Sequence, residues 1–204
     1  MTMTIHPTSQ QKEALQTLFD TGVDRANTML NYLTEWPVYV EMAPIEILSP
    51  RQLHKKMEEP VGRVRVAAME LIYRGEFEGI ALLVFPAKTA ETLVETLADE
   101  QRRSLDQDTV KMRTLSEVGN IFLNGLMGSL SNIIKGGITY MAPSYKEGTL
   151  KDLLYANQVN PSTTVLFGKA EVHIEQLQSK ASIILFFMVE PLEILLTEVE
   201  RLHN

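Results

Sequence analysis

The order of predicted secondary-structure elements occurs twice along the chain, and this repeat is the feature that most restricts the fold. The first copy opens with a long helix at Thr8 or Ser9, and the second copy opens about one hundred residues later with a helix from about Asp106. Each copy continues with a strand that stops near a proline, a short helix, a pair of strands and a closing helix. Two copies are too few for a solenoid, so the pattern favours a duplication within one fold.

The strands and helices of the two copies have complementary apolar patterns. The second strand of each pair, "IALLVF" and "SIILFFM", is apolar throughout, as is typical of a sheet covered on both faces. The long helices have apolar residues every three or four positions. We therefore predict an α/β (α+β) fold of pseudo-two-fold symmetry, with long helices packed on a central, mainly antiparallel sheet. The predicted domain spans residues 1–204, with repeats at about 8–100 and about 106–202.

Composition and charge exclude several classes of function. None of the 204 residues is cysteine, which excludes disulfides, thiolate metal sites and cysteine nucleophiles. The four histidines are scattered, so no intrinsic metal is expected. A formal charge of −7 without a basic stripe makes nucleic acid an unexpected partner. The chain shows no signal-peptide pattern and no apolar run of membrane-spanning length, so we expect a cytoplasmic protein without membrane insertion.

The second long helix carries the candidate functional residues. One side is apolar and is expected to face the sheet: Leu115, Val118, Phe122, Leu126, Ser129 and Ile133. Arg113, Glu117, Asn120 and Asn124 fall together near the opposite side, because residues three or four apart are neighbours on a helix. Gly119 lies between the glutamate and the asparagine, where glycine costs about 1 kcal/mol relative to alanine. This indicates a close approach to the backbone, by a partner or by a packed helix. A solvated helix face is the alternative interpretation.

The segment "EVGNIFLNGLMGSLSNIIKGGITYMAPS" resembles the signature of the CheC/CheX/FliY family of chemotaxis phosphatases, which is Glu-x-x-Asn, twenty-two residues and a proline. Glu117, Asn120 and Pro143 fit that spacing. The segments "LFDTGVDRANTMLNYLTEWPVYVEMAPIEIL" and "GIALLVFPAKTAETLVETL" are similar to parts of the first CheC repeat, so the resemblance covers nearly the whole chain. It implies a CheC-like duplicated fold. We expect Pro143 to end a strand and to have no catalytic role.

The resemblance implies an enzyme that hydrolyses the aspartyl phosphate of a phosphorylated CheY-type response regulator, in bacterial chemotaxis or related two-component signalling. Asn120 would position the attacking water, as a glutamine does in small GTPases. Glu117 would pair with the regulator's active-site lysine, and Arg113, Gly119 and Asn124 would contact the regulator. No intrinsic cofactor is expected, since the regulator would supply Mg²⁺.

One position of the signature departs from the family pattern. The family has Asp or Ser four residues before the glutamate, and this chain has Arg113 there. Thr114 or Ser116 could take over that role, or Arg113 could hold Glu117 in an ion pair and weaken docking.

The first repeat departs further from the signature. Thr17 and Asp20 stand where Glu117 and Asn120 stand in the second repeat. A carboxylate next to an aspartyl phosphate would repel it. Only the second repeat is therefore a candidate active site.

Two other functions remain compatible with the same residues. The chain could bind or scaffold the phosphorylated regulator without hydrolysing it, in which case binding would not depend on Asn120. A CheD-like deamidase is a further partner that the resemblance allows, and the sequence does not decide between these alternatives.

Overall fold

The computed structural model describes residues 7–33, 37–58, 60–97, 106–135, 137–156, 163–174 and 179–201. The first repeat contains α1 (Ser9–Leu33), β1 (Val38–Met42), β2 (Glu46–Leu48), α2 (Pro50–Lys56), β3 (Arg65–Gly75), β4 (Glu78–Phe85) and α3 (Ala87–Leu97). The second repeat contains α4 (Gln107–Ile133), β5 (Ile138–Tyr140), β6 (Ser144–Thr149), α5 (Leu150–Tyr155), β7 (Thr164–Ile174), β8 (Ser179–Glu190) and α6 (Leu192–Glu200). A 3₁₀ turn, Val61–Arg63, precedes β3.

The strands of the described ranges form one antiparallel sheet of eight strands, and each repeat completes the other's half of it. The order is β1-β7-β8-β4-β3-β5, while β2 also pairs with β7 and β6 with β3. At the centre β4 pairs with β8, for example Leu82 with Phe186. The strands β1 and β2 of the first repeat thus pair with the second repeat, and β5 and β6 pair with the first. A pseudo-two-fold axis therefore passes between β4 and β8.

Apolar clusters cover both faces of the sheet. The larger cluster lies against α1, α3, α4 and α6, and the smaller one lies against α2 and α5. Along β4, Ala81, Leu83 and Phe85 belong to the first cluster, whereas Leu82 and Val84 belong to the second. Both sides of this strand are buried, which explains why "IALLVF" contains no polar residue.

Local signals place several element boundaries where the sequence predicts them. Thr8 caps α1, because its Oγ1 accepts from Gln11 N at 3.1 Å and its N donates to Gln11 Oε1 at 3.0 Å. The interruption at Pro44 separates β1 from β2. Asp106 caps α4 by accepting from Thr109 N at 2.9 Å.

One segment differs from the expected structure. The sequence predicts a short helix within residues 145–158, and α5 lies there from Leu150 to Tyr155, but Ser144–Thr149 is the strand β6, which the sequence does not predict. Residues 144–149 pair along β3 from Glu70 to Arg65. This pairing is non-local, and the polar segment "SYKEGT" has no clear period of its own, so the sequence carries no signal for it.

The predicted α+β fold, with its duplicated elements, pseudo-two-fold symmetry and antiparallel sheet, is confirmed. That residues 1–204 form a single domain stays a prediction. The expected repeat ends near residues 100 and 202 lie outside the described residues.

Candidate functional site

The candidate residues lie on α4, a 27-residue helix that a cap and a turn delimit. At its start, hydrogen bonds from the side chain and the backbone of Thr109 hold the pKa of Asp106 below its ordinary value. After its end at Ile133 the chain turns into β5 through Gly137, whose φ of +78° is in the left-handed region that favours glycine. Fixed at both ends, α4 is a rigid element on which a site can be built.

Two sides of α4 are buried, and the candidate residues occupy a third. The buried residues contact α1 and the sheet: Val110, Thr114, Leu115, Val118, Gly119, Phe122, Leu123, Leu126, Met127, Ser129 and Leu130. Arg113, Glu117 and Asn124 are exposed, and Asn120 is half-buried. Spaced by three or four residues, these four residues follow one line along the helix, which we call the α4 ridge. Their roles in catalysis or docking stay predictions.

Asn120 has an unsatisfied polar atom. Its Oδ1 is enclosed by the protein and has no hydrogen-bond partner among the described residues. An enclosed acceptor without a donor costs about 1–3 kcal/mol. A half-turn of the carboxamide exchanges its oxygen and nitrogen without changing the volume that the side chain occupies. The structure thus holds a primary amide on the ridge whose oxygen accepts no hydrogen bond from the described residues.

Gly119 faces the interior, which corrects its predicted role. It is buried, and a Cβ atom at this position would lie 2.2 Å from Met69 Cγ and 2.9 Å from Met69 Cβ. The space that the glycine leaves is therefore filled by a side chain of β3. The prediction that Gly119 makes room for a partner is wrong, because the packing of α4 against the sheet requires a residue without a side chain at this position.

Thr114 cannot replace the polar residue of the family pattern. Its side chain is 1% exposed, and its Oγ1 has no partner in the described part of the chain. The hydroxyl is enclosed in the protein, away from the ridge. Ser116 is half-buried, and an ion pair between Arg113 and Glu117 stays a prediction.

The first repeat presents the same surface with different chemistry. Burial along α1 matches that along α4 one hundred positions later, as in Leu15 and Leu115 or Leu18 and Val118. Thr17 and Asp20, at the positions of Glu117 and Asn120, are both exposed. Gln16 Nε2 donates to Asp20 Oδ1 at 2.9 Å, and Thr17 Oγ1 donates to Glu13 O at 3.0 Å. Both side chains are engaged within α1, and the α1 surface has a carboxylate where α4 has a carboxamide.

A second polar cluster, which the sequence reasoning missed, lies where β6 meets the start of α4. Glu147 accepts from Lys111 Nζ at 2.9 Å and from Tyr145 Oη at 2.5 Å. Hydrogen bonds from these groups lower the pKa of Glu147, while burial and Glu147 raise the pKa of Tyr145 far above its ordinary value. The cluster borders an open cavity of about 670 Å³ between α3, α4 and β3. No local signal reveals it, because the strand β6, which brings Tyr145 and Glu147 to the start of α4, is not predicted from the sequence.

Within the described ranges, no group of three or more His, Cys, Asp or Glu side chains could hold a metal ion. Across the same ranges, none of the helices has the length and apolar character that crossing a bilayer requires.

The duplicated α+β fold is shared with solved structures of FliY and CheX. The chain has this fold, as the resemblance implied. FliY from Thermotoga maritima matches with a TM-score of 0.75 at 15% identity over 98% of this chain and 100% of that chain. The FliM middle domain from H. pylori matches with a TM-score of 0.65 at 11% identity, covering 94% of this chain and 99% of that domain.

A third similar structure is a complex. A chain of the CheX-CheY-BeF₃-Mg²⁺ complex from Borrelia burgdorferi matches with a TM-score of 0.50 at 13% identity, over 84% of this chain and 97% of that chain. At such low identities these similarities establish the fold alone. No protein-family model and no curated protein sequence matches the chain.

Proposed function

We propose that the protein is a phosphatase for a phosphorylated CheY-type response regulator in chemotaxis or related two-component signalling. The α4 ridge enters the regulator's phosphorylation site, Asn120 positions the attacking water, and Glu117 pairs with the regulator's lysine. Arg113 and Asn124 contact the regulator on either side of this pair. The reaction takes place in the cytoplasm, where such regulators act.

The observation that carries the proposal is the arrangement of Glu117 and Asn120 one turn apart on a rigid helix. Both side chains belong to the same ridge, and the Asn120 oxygen has no partner among the described residues. An enclosed polar group without a partner needs an explanation, and a half-turn of the carboxamide that brings the oxygen to the surface of the ridge, where a water can contact it, is one that also fits the sequence signature. A chain of the complex of CheX with CheY and BeF₃ has the same fold, which supports the choice of partner.

The hydrolysis requires the protein only to position a water molecule, because the acyl phosphate is already activated. The water oxygen forms a bond to phosphorus while the bond between phosphorus and the aspartate oxygen breaks, so that inorganic phosphate and a free carboxylate are released. Mg²⁺ is supplied by the regulator and stabilises the charge on the transferring group. Asn120 positions the attacking water, because its oxygen accepts a hydrogen bond from the water while its NH₂ faces a phosphoryl oxygen.

The test measures the loss of acyl phosphate from purified CheY-type regulators, with and without the protein. Asn120→Ala should reduce the acceleration by about 10²–10³-fold, the effect typical of a lost positioned polar group. Glu117→Ala should weaken regulator binding. Thr17→Ala and Asp20→Ala are matched controls at the corresponding α1 positions and should keep full activity. Equal loss in the α1 and α4 variants, or no acceleration by the wild-type protein, would contradict the proposal.

A binding or scaffold protein is the second candidate, and two observations favour it. Arg113 occupies the position where the family pattern has Asp or Ser, and the FliM middle domain, one example of which was solved in a FliG-FliM complex, shares the fold. In this case wild type and Asn120→Ala would bind the phosphorylated regulator equally well, without turnover. Association with a CheD-like deamidase rests on the sequence resemblance and stays a prediction.

A further inference from the structure

The two outer edges of the sheet differ, and the first is closed by α1. Asn27 Nδ2 donates to Val40 O at 2.9 Å, and Asn27 Oδ1 accepts from Val40 N at 2.7 Å. Asn31 makes the same pair of bonds with Val38, at 2.5 and 2.8 Å. The two carboxamides thus replace the main chain of a further strand. Both valines are 2% exposed, so no additional strand can join the sheet at β1.

The corresponding edge strand of the second repeat is β5. The offset of one hundred positions between α1 and α4 places Ile138 and Tyr140 at the positions of Val38 and Val40. Met141 N donates to Ile72 O at 3.2 Å. In an antiparallel strand, the N–H and C=O groups of successive residues point to alternate sides of the strand. Ile138 and Tyr140 therefore direct their N–H and C=O groups away from β3, to the outer edge.

Helix α4 does not close this edge. At the positions of Asn27 and Asn31 it has Met127, which is fully buried, and Ser131, which is too short to act as a carboxamide. Over the described ranges, no side chain bonds to the main chain of Ile138 or Tyr140. The duplication has kept the strand at this edge but not the two residues that cover it.

Apolar side chains are exposed along the same edge. Met141 is 68% exposed, Tyr140 41% and Ile72 36%. Ile72 and Met141 are opposite each other in the ladder and lie on one face of the sheet, whereas Tyr140 lies on the other face. An added strand would cover all three side chains.

The charges at the edge indicate what kind of strand would fit. Arg74 is opposite Thr139, Lys135 precedes β5, and both are exposed. Neither has a carboxylate within ion-pair distance in the residues that the structure describes. A second copy of the chain would bring the same cations to the same edge. The three-residue strand also offers too little area for a stable dimer. Both arguments disfavour self-association, and the two cations, unpaired within the described ranges, favour an acidic segment.

We propose that the β5 edge binds an extended acidic segment of a partner protein by strand addition. The segment pairs its main chain with Ile138 and Tyr140, places apolar side chains against Ile72 and Met141, and brings Asp or Glu near Arg74 and Lys135. No residue of the α4 ridge takes part, so the inference does not depend on the phosphatase proposal.

The experiment selects binders from a library of random peptides of about ten residues, a length that covers the edge strand. Binding of the selected peptides is measured by fluorescence anisotropy, and protection of the Ile138 and Tyr140 amides by hydrogen exchange. Tyr140→Pro removes the outward N–H without removing a bond to β3. Because a proline can also disturb β5, Met141→Glu and Met141→Lys form a second, charge-matched pair at an exposed position.

The selected peptides are expected to alternate apolar with acidic residues and to protect both amides. Tyr140→Pro and Met141→Glu should each weaken their binding by about tenfold or more, whereas Met141→Lys should retain it. The inference is overturned if no peptide is enriched, if Tyr140→Pro or both Met141 variants bind as wild type does, or if protection appears elsewhere. Tight binding of vesicles with acidic headgroups in place of peptides would also overturn it.

Discussion

Gly119 and Asn120 are adjacent in sequence and have opposite surroundings. Gly119 is in contact with Met69 of β3, and Asn120 belongs to the ridge. The distance between α4 and the sheet is therefore limited at Gly119, the residue next to the proposed catalytic side chain. A side chain at position 119 would have to displace either Met69 or the backbone of α4.

Gly119→Ala should destabilise the protein by about 1–3 kcal/mol, because the added methyl group overpacks the contact with Met69. Met69→Ala alone should cost about 2–5 kcal/mol through the cavity it leaves. The double variant should be more stable than the sum predicts, by about 0.5–3 kcal/mol, since the new methyl group enters that cavity. Urea unfolding measures all three.

The control for this cycle is Asn124→Ala, an exposed change on the same helix, which should stay within about 0.5 kcal/mol of wild type. Strictly additive effects of Gly119→Ala and Met69→Ala would show that the two residues do not limit each other's space.

At the scale of elements, the edge strand β1 depends on two side chains of α1. Asn27 is buried and makes both of its bonds to Val40, so it joins helix and strand without a main-chain ladder. The second repeat has Met127 at the same position, where no such bond exists. The outer edge of β1 is thus hydrogen-bonded to carboxamides of its helix, whereas the outer edge of β5 has no such bonds in the described part of the chain.

Asn27→Met introduces, at the edge strand β1, the residue that the second repeat has at the corresponding position. It should cost about 2–4 kcal/mol, because the buried N–H and C=O of Val40 each lose a partner, at about 1–3 kcal/mol per group. Amide exchange of Val40 should accelerate together with the loss of stability measured in urea. Unchanged exchange at Val40 would contradict the assignment of these bonds.

The contact between α4 and β6 is electrostatic and should depend on pH. Tyr145 and Lys111 lower the pKa of Glu147, so the ionised carboxylate contributes stability above its unfolded pKa and loses it as pH falls through the folded value. Lys111→Met should therefore lower the Tm at pH 7, and the difference should disappear as the pH falls below about 4. Both side chains are more than a third exposed, so the effect is small. Lys88→Met on α3 is the matched control, and a pH-independent difference would contradict the mechanism.

At the scale of the molecule, the two repeats are interleaved. In the described ranges, β1 and β2 of the first repeat pair with β7 of the second repeat and with no strand of the first. Likewise, β5 and β6 of the second repeat pair with β3 of the first repeat and with no strand of the second. The helices also pack across the two halves, since α4 contacts β3 and β4, and α3 contacts β8. Neither half retains a complete sheet by itself.

Fragments 1–97 and 106–204 should therefore be largely unfolded when separate and should fold when mixed. Circular dichroism and dispersion of amide NMR signals measure this, and the intact chain should unfold in one cooperative transition. A stable, dispersed spectrum from either fragment alone would contradict the interleaved arrangement.

Much of the fold and of the candidate site follows from interactions between residues close in sequence. Apolar spacing identifies the long helices and places Glu117 and Asn120 on the ridge, because a 3.6-residue period depends on neighbours alone. The same reasoning identifies β4 and β8 as central strands and Thr8 and Asp106 as positions where helices begin. These features need no knowledge of the rest of the chain.

Other features exist only once distant segments meet. The strand β6 forms because β3 presents an edge to it, Gly119 is required because Met69 comes from the other repeat, and the Asn120 oxygen is enclosed by folding. The difference between the two sheet edges likewise depends on the contact of Asn27 in α1 with Val40 in β1. Pairing between segments far apart in sequence leaves no local periodicity, so the tertiary structure alone decides these contacts.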